Sequence, residues 1–320
     1  MKAVILAGGK GTRLYQLTNN LLPKPLIALN DKPLIEYAIE QLIKYNVDEI
    51  FITVGHMHDV IENHFKNKHF KAKLNFIVED SPLGSGGALY FLKDKVQGDF
   101  IVCNGDTLFD IDIDRMLNYH TSKNSIATLL VQANCHPFDS DLIVSDENNR
   151  IIRIDSKNNE RKFYYKNNVN AGFFIINSNA LYYFDKLKKV SMEGDFINAL
   201  LHDEKKVFAY RSTEYVKDVG TPERYYNALK DLEVSLPAKR NLKNPQKAIF
   251  IDINSMLKFN KNVTSLESLE LINGVEKAVK LINNSEYLLV AVCNEAVKER
   301  EEIFNKMEIL LGNNGAYIDE

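Results

Sequence analysis

A glycine-rich segment near the start of the chain has the residue types that bind phosphate. Its sequence is Leu6-Ala7-Gly8-Gly9-Lys10-Gly11-Thr12-Arg13-Leu14, and a short apolar run leads into it. Glycines let backbone N–H groups approach phosphate oxygens closely, and the guanidinium of Arg13 can neutralise phosphate charge. Lys24, which is flanked by two prolines, supplies a second cation. Together these residues predict a loop that holds a triphosphate.

Two common phosphate-binding motifs do not fit this segment. A dinucleotide fingerprint would need a third glycine where Leu14 stands, and an acidic residue at the end of the second strand, where the sequence has Val54. A P-loop would need Gly-Lys-Ser or Gly-Lys-Thr four residues after a glycine, and the segment lacks it. Neither motif therefore describes this loop, and a glycine-rich turn that follows a strand can also be purely structural.

Two aspartates that are far apart in sequence could hold a metal ion. Asp106 lies in Asn104-Gly105-Asp106-Thr107, and Asp218 opens the segment Asp218-Val219-Gly220-Thr221-Pro222-Glu223. Two carboxylates that converge on a phosphate would bind Mg²⁺, which keeps several waters and takes its remaining ligands from substrate. Aspartate close to glycine is also a common turn former, so neither aspartate is informative alone.

A third segment combines a carboxylate with closely spaced glycines. It reads Val78-Glu79-Asp80-Ser81-Pro82-Leu83-Gly84-Ser85-Gly86-Gly87-Ala88. A flat nucleobase could lie against the glycine backbone, although an ordinary strand-to-helix turn has a similar composition. An ionised Glu79 only accepts hydrogen bonds, and guanine presents two adjacent donors where thymine and uracil present one. The carboxylate therefore favours GTP.

Most of these loops follow apolar, β-branched runs that are typical of buried strands. Because such runs alternate with helical patterns, the sequence predicts an α/β fold with a mostly parallel sheet. The predicted strands are 3–7, 49–54, 74–78, 100–103, 126–131, 170–176 and 207–210, and the predicted helices are 34–44, 60–65 and 88–95. Ligands of such sheets gather beyond the carboxyl ends of the strands. The polar stretch 155–168 predicts an exposed hairpin or flap.

The composition excludes several kinds of partner. With 40 basic and 43 acidic residues the net charge is -3, so no general field draws the chain to nucleic acid or to an anionic membrane. The 3 cysteines have neither metal-site nor disulfide spacing, which predicts reduced thiols. The apolar run at the start is too short for a signal peptide or a membrane span. A cytoplasmic location is expected.

The combination of GGKGTRL with the later PKPL resembles the signature of sugar-phosphate nucleotidyltransferases, from Met1 to about Leu232. The resemblance implies a Rossmann-like, GT-A-like sheet and an enzyme that joins a nucleoside triphosphate to a sugar 1-phosphate, with Mg²⁺ as cofactor and pyrophosphate as product. It implies catalytic roles for Arg13, Lys24 and Asp106, and metal binding by Asp106 and Asp218. The nucleotide-binding residues that it implies are Leu6, Ala7, Gly8, Gly9, Gly11, Thr12, Arg13, Lys24, Glu79, Gly84, Ser85 and Gly86.

On the sugar side, the residues that the resemblance implies are Gly105, Lys157, Asn170, Gly172 and Glu193. One departure is Ser156, which stands where the family usually has a glutamate, so that a sugar-hydroxyl acceptor is missing unless Asp155 replaces it. The segments EDSPLGSGGAL and NGDTLFDI are nearest to the family branch that guanylylates D-glycero-D-manno-heptose 1-phosphate. Mannose-1-phosphate or other hexose-1-phosphate nucleotidyltransferases are the alternative. A rival of another class is a regulatory protein that binds nucleotide sugars without turnover.

The domain organisation expected from the sequence has three parts. Residues 1–233 form the nucleotidyltransferase domain, and residues 234–246, which are polar, basic and proline-containing, form a linker. Residues 247–320 resemble the opening of haloacid-dehalogenase-like (HAD-like) phosphatases, especially heptose-bisphosphate phosphatases. Asp252 matches their nucleophile, but Asn254 replaces the general acid, and an amide cannot protonate a leaving group. This unit is therefore expected to be an inactive remnant that serves packing or assembly, including a homo-oligomer.

Overall fold

The computed structural model describes residues 1–9, 11–19, 21–159, 166–258, 269–293 and 297–320. Within them, nine strands form one mixed, mostly parallel sheet, and four strand pairs stand apart from it. The strands are β1 (Lys2–Ala7), β2 (Ala28–Leu29), β3 (Lys32–Pro33), β4 (Glu49–Val54), β5 (Lys73–Val78), β6 (Asp99–Asn104), β7 (Thr107–Asp110), β8 (Ala127–Gln132), β9 (Leu142–Ser145), β10 (Ile151–Asp155), β11 (Val169–Asn177), β12 (Val207–Arg211), β13 (Tyr215–Asp218), β14 (Lys247–Asp252), β15 (Leu257–Lys258), β16 (Glu270–Leu271) and β17 (Tyr287–Val292).

The helices cover both faces of the sheet and connect its strands. They are α1 (Tyr15–Thr18), α2 (Leu34–Lys44), α3 (His58–Phe65), α4 (Gly84–Gly87), α5 (Ile113–Ser122), α6 (Asn198–His202), α7 (Pro222–Glu233), α8 (Leu236–Arg240), α9 (Val275–Asn283) and α10 (Val297–Gly312). Among the described residues, no helix combines the length and the apolar character that a membrane crossing requires.

Strand β1 is central to the large sheet and decides where the loops lie. It pairs in parallel with β4 on one side and with β6 on the other, and β5 extends the sheet beyond β4. Ile5 packs into a cluster with α2, and Val4 packs on the opposite face with Phe100 and Leu89, so both faces of β1 are buried. The carboxyl ends of these four parallel strands therefore lie at one edge of the sheet.

The predicted α/β fold with a mostly parallel sheet is confirmed. The helix predicted at 34–44 and the strand predicted at 49–54 agree at both ends with α2 and β4. The helix predicted at 88–95 is wrong. The helix begins earlier, as the four-residue α4, and continues only as a 3-10 helix over Ala88–Leu92. At this helix start the Gly86 N–H donates to Val190 O at 2.9 Å, which satisfies one of the N–H groups that have no partner within the helix.

The stretch predicted as an exposed flap is only partly described, since residues 160–165 lie outside the described residues. Its last two residues, Asn167 and Asn168, are buried. The Asn167 amide donates to Asn134 O at 2.8 Å and accepts from Asn134 N at 3.2 Å. Their polar composition suggested exposure, but Asn167 bonds to backbone groups and the Asn168 side chain accepts a hydrogen bond from the Arg211 guanidinium.

Residues 247–320 have their own sheet and their own apolar cluster. Strands β14 and β17 pair in parallel, and α9 connects them. The buried cluster below this pair includes Met256, Leu289, Met307 and Leu311. The arrangement is a small β-α-β unit beside the main domain.

The segment 234–246, predicted to be a linker from its composition, is folded and anchored. It contains α8, in which Leu236 is 3% exposed and joins an apolar cluster with Leu29 and Leu34. Glu214 accepts hydrogen bonds from Leu242 N at 2.9 Å and Asp112 N at 2.6 Å, which ties the segment to the main domain. Polar side chains supply most of the anchoring, so a search for apolar periodicity does not detect it.

A buried ion pair joins this segment to the C-terminal unit. Arg240 and Asp319 are 5% and 6% exposed, and their side chains bond at 3.2 Å. Arg240 also donates to Ser285 O at 3.0 Å and to Tyr287 O at 2.9 Å. Burial raises the pKa of Asp319, although the Arg240 guanidinium opposes the shift. Nearby, Arg211 donates to Asp319 O at 2.8 Å.

We expect the substitution Arg240→Ala to lower the free energy of unfolding by about 3 to 5 kcal/mol, because it leaves the Asp319 carboxylate buried without its partner. Lys239→Ala is the matched control, since Lys239 pairs with Glu286 on the surface and should contribute far less. Urea denaturation followed by circular dichroism measures both. Equal stability of the two variants would contradict the structural role of Arg240.

Candidate active site

Asp106 and Asp218, which are far apart in sequence, are neighbours in space. Asp106 follows β6 and precedes β7, which pairs with β13 in antiparallel register, so that Thr107 lies opposite Asp218. The N–H of Val219 donates to Asp106 O at 2.8 Å, which closes the pair at this end. The two carboxylates are partly exposed, 35% for Asp106 and 44% for Asp218. The pairing of β7 with β13 therefore brings the two carboxylates together.

Lys24 lies beneath the glycine-rich loop and reaches the first carboxylate. Its side chain is 9% exposed, and its ammonium donates to the Asp106 carboxylate. Gly11 packs directly on it, with a φ of 62°, and a Cβ at this position would lie 2.7 Å from Lys24 Cβ. Because of both the positive φ and this contact, only glycine fits. The loop and the lysine form one packed unit.

Gly220 marks the point where the cations and the second carboxylate converge. A Cβ placed on Gly220 would lie 2.6 Å from Asp218 Oδ2, 3.3 Å from Arg13 Nη2 and 3.6 Å from Lys24 Nζ. Arg13 is otherwise exposed, on the short 3-10 turn Thr12–Leu14. Two cations and two carboxylates thus meet in one small volume. The sequence motifs predicted the cations and the carboxylates separately, without indicating that they converge.

The sequence interpretation missed Arg224 and His136. Arg224 Nη1 lies 2.6 Å from both carboxylate oxygens of Asp218, and Arg224 Nη2 lies 2.8 Å from His136 Nε2. The signal for Arg224 is the helix start: Thr221 caps α7, and its hydroxyl accepts from Arg224 N at 3.3 Å. A residue at the third helical position directs its side chain back toward the preceding turn. His136 has no comparable signal.

Glu79 lies against the phosphate loop. It follows β5, and its Oε1 is 2.6 Å from the place where a Cβ of Gly8 would be. Its other oxygen accepts the N–H of Leu83 at 3.2 Å. Burial raises the pKa of Glu79, and the Leu83 N–H opposes that shift. The carboxylate therefore lies between the phosphate loop and the loop that follows β5.

The glycine loop after Glu79 docks on the segment that precedes Glu193. Gly86 N donates to Val190 O at 2.9 Å, and Met192 N donates to the Ser85 hydroxyl at 2.8 Å. Glu193 then lies in a π-helix over Met192–Ile197. Single-turn π-helical segments are frequent at functional sites. These hydrogen bonds join the loop predicted to bind the base to the segment that carries Glu193, one of the residues predicted to bind the sugar.

A cavity of about 530 Å³ opens beside the two carboxylates. Of the predicted sugar residues, Asn170, Gly172 and Glu193 line it, together with Asp106 and Asp218. Asn170 Nδ2 donates to Glu193 Oε1 at 2.5 Å, and Asn170 Oδ1 accepts the N–H of Gly172 at 3.2 Å. A register shift in β11 between Asn170 and Phe174 interrupts the regular ladder beside this amide. The amide and carboxylate offer both donors and acceptors to a polyhydroxylated ligand.

Gly105 and Lys157 occupy different places relative to this cavity. Gly105 sits between β6 and β7, and its N–H donates to Leu6 O at 2.8 Å, so it positions Asp106. Lys157 is not among the residues that line the cavity. Its ammonium pairs with Asp139 at 2.9 Å and is about half exposed. Asp155, considered as a replacement for the missing glutamate, is buried and accepts from Asn159 at 3.2 Å.

The donor set at Asp106 and Asp218 fits a hard divalent cation. Within the described residues, no group of three or more His, Cys, Asp or Glu side chains could enclose a metal ion. Two carboxylates beside a phosphate loop suit an ion that keeps waters and takes phosphate oxygens, as Mg²⁺ does. Structural zinc, which needs four protein ligands, does not fit.

Comparison with known proteins agrees with this geometry. Residues 2–235 match the family described as nucleotidyl transferase. The chain is 31% identical over 235 residues to the D-glycero-alpha-D-manno-heptose 1-phosphate guanylyltransferase of Aneurinibacillus thermoaerophilus, covering 73% of this chain and 99% of the relative. It is 28% identical over 233 residues to the mannose-1-phosphate guanylyltransferase of Mycobacterium tuberculosis, covering 72% and 64%. The crystal structure of HddC from Yersinia pseudotuberculosis complexed with GMP-PN superposes with a TM-score of 0.62 at 26% identity, covering 72% and 99%. The chain therefore belongs to the nucleotidyl transferase family and is a sugar 1-phosphate nucleotidyltransferase.

Proposed function

We propose that the protein transfers GMP from GTP to D-glycero-α-D-manno-heptose 1-phosphate, giving the GDP-sugar and pyrophosphate. The observation that carries the transfer chemistry is the convergence of Arg13 and Lys24 with two carboxylates at the phosphate loop. The heptose acceptor is supported by a relative that is matched over 99% of its length, whereas the mannose-specific relative is matched over 64%. Mannose 1-phosphate is the second candidate, on the strength of that relative.

In this reaction an oxygen of the sugar 1-phosphate attacks the α-phosphorus of GTP. The new P–O bond forms as the bond to the bridging oxygen breaks, and pyrophosphate leaves with the electron pair. Such a transfer needs positioning and charge neutralisation rather than a covalent enzyme intermediate. Arg13 is exposed and free to meet the β- and γ-phosphates, while Lys24, now bonded to Asp106, faces the same space.

Asp106 and Asp218 would hold Mg²⁺, and the ion would supply positive charge to the phosphates. The same carboxylates pair with Lys24 and Arg224. These contacts orient both carboxylates at the cavity. The metal assignment rests on the oxygen donors and their place beside the phosphate loop.

Selection of guanine is assigned to Glu79. Its carboxylate lies against Gly8, so a base stacked near the loop backbone could present its N1–H and amine to one carboxylate. Two donors to one ionised acceptor would also offset the burial that raises the pKa of this group. A pyrimidine with one donor would leave part of the carboxylate unpaired, which costs free energy.

The C-terminal unit is proposed to be HAD-like but inactive as a phosphatase. Asp252 ends β14, where such a nucleophile would stand, and its carboxylate accepts Asn254 N at 2.9 Å. The parallel pair of β14 and β17 with α9 between them agrees with the opening of an α/β phosphatase. Asn254 offers no acidic proton for a leaving group.

The proposed activity is tested by crossing GTP, ATP, UTP and CTP with heptose 1-phosphate, mannose 1-phosphate and other hexose 1-phosphates, with pyrophosphate release as the readout. We expect the highest kcat/KM for GTP with the heptose, and no phosphate release from heptose bisphosphate. Binding of nucleotide without turnover on any acceptor would instead support the regulatory, non-enzymatic protein.

Asp106→Asn and Asp218→Asn should each lower kcat by at least about a hundredfold, the scale on which preorganised charges act in catalysis. Both side chains are at least a third exposed, so the melting temperature should change little. Glu223→Gln, an exposed neighbour in the same turn, is the matched control. Near-normal metal-dependent turnover in either aspartate variant would overturn the metal assignment.

Glu79→Gln should reduce the preference for GTP over UTP, measured as the ratio of kcat/KM values, by about 1 to 3 kcal/mol, because the amide can no longer accept both guanine donors. Asp80→Asn changes the adjacent, exposed carboxylate in the same way and should leave the ratio unchanged. An unaltered ratio in the Glu79 variant would refute base selection by this residue.

A further inference from the structure

The cavity beside the two carboxylates does not end within the nucleotidyltransferase domain. Its lining continues from Asn170 and Glu193 to residues of the C-terminal unit, among them Lys280 and Tyr317. The described residues of the phosphate loop and of the 79–87 loop do not line it. The cavity therefore extends from the predicted sugar residues to the C-terminal unit, which forms one of its walls.

Several polar contacts fix the position of this wall. The Arg240–Asp319 pair is buried between the two units, and Arg211 donates to Asp319 O at 2.8 Å and to Glu320 at 3.1 Å. On the wall itself, the Asn283 amide donates to Tyr317 O at 2.9 Å and accepts Tyr317 N at 3.1 Å. Both the backbone N–H and the backbone carbonyl of Tyr317 are thereby hydrogen-bonded.

Two side chains on this wall have polar groups that are available to bind a ligand. Within the described parts of the chain, the Lys280 ammonium has no carboxylate partner and the Tyr317 hydroxyl has no hydrogen bond. A Cβ placed on Gly315 would lie 3.7 Å from Lys280 Nζ, which puts the ammonium beside the segment that carries Tyr317. Burial raises the pKa of the Tyr317 phenol, so the group remains a neutral donor. The titratable groups near the phenol include Cys135 and Asp231 of the nucleotidyltransferase domain.

We propose that the C-terminal unit is part of the acceptor site, with Lys280 and Tyr317 binding the sugar 1-phosphate. An ammonium and a phenol suit a ligand that carries a phosphate and many hydroxyls. The sequence suggested only packing or assembly for this unit, and its contribution to the cavity gives it a direct role in acceptor affinity. The proposal rests on the proposed transfer of a nucleotide to a sugar phosphate.

The test compares Lys280→Ala and Tyr317→Phe with Lys277→Ala, in the full chain. Lys277 is an exposed lysine on the same helix, α9, and does not line the cavity. We expect the KM for heptose 1-phosphate to rise about threefold to tenfold in the first two variants, as the loss of one hydrogen bond or ion contact implies. The KM for GTP and the melting temperature should stay unchanged, and Lys277→Ala should match the wild type.

Calorimetric titration with heptose 1-phosphate and mannose 1-phosphate separates this proposal from the proposed activity. The wild type could bind a sugar phosphate without turnover. Weaker binding by Lys280→Ala and Tyr317→Phe would then still support the acceptor wall, meaning the part of the acceptor site formed by Lys280 and Tyr317. The proposed transfer of a nucleotide to this sugar phosphate would fail. If turnover occurs and both variants keep the wild-type KM and affinity, the acceptor wall is wrong and the activity stands. Absence of sugar phosphate binding in the wild type would overturn the acceptor wall as well.

Discussion

Two carboxylates on neighbouring strands repel each other, and the active-site end of the sheet is organised around the neutralisation of that repulsion. The β7–β13 pair holds Asp106 and Asp218 side by side. Lys24 pairs with the first and Arg224 with the second. Each of the two carboxylates thus has one cation within ion-pair distance, which offsets their repulsion.

Much of the fold follows from local pattern, since β1, β4 and β6 are buried on both faces and read as short apolar runs. The errors arise where backbone contact replaces side-chain pattern. Helix α4 begins at a glycine run whose Gly86 bonds to Val190, and no periodicity in the sequence of this helix indicates that contact. The segment 234–246 has the composition of a tether, but Arg240 and Asn241 are buried through hydrogen bonds that form only in the folded chain.

In the candidate site, too, some residues can be recognised from local motifs, whereas others depend on tertiary structure. The glycines, Arg13, Lys24 and the two aspartates stand in local motifs, so their residue types and order were enough to select them. Their convergence depends on strand register, which places Thr107 opposite Asp218. Arg224 and His136 meet at the site through tertiary structure alone. For the same reason the sequence could not indicate that Lys157 pairs with Asp139 outside the cavity.

A buried ion pair, Arg240 with Asp319, lies in the interface between the two units. A buried pair adds little net stability, since desolvation of both charges offsets their attraction, but it tolerates few alternative arrangements. Arg240 satisfies two backbone carbonyls besides Asp319, and Asp319 in turn accepts Leu289 N at 2.8 Å, so the geometry is fixed from both sides. An interface of this kind suits a unit whose orientation matters. A wall that shares a cavity with Asn170 and Glu193 has that requirement, whereas a unit that only covered an apolar face would not.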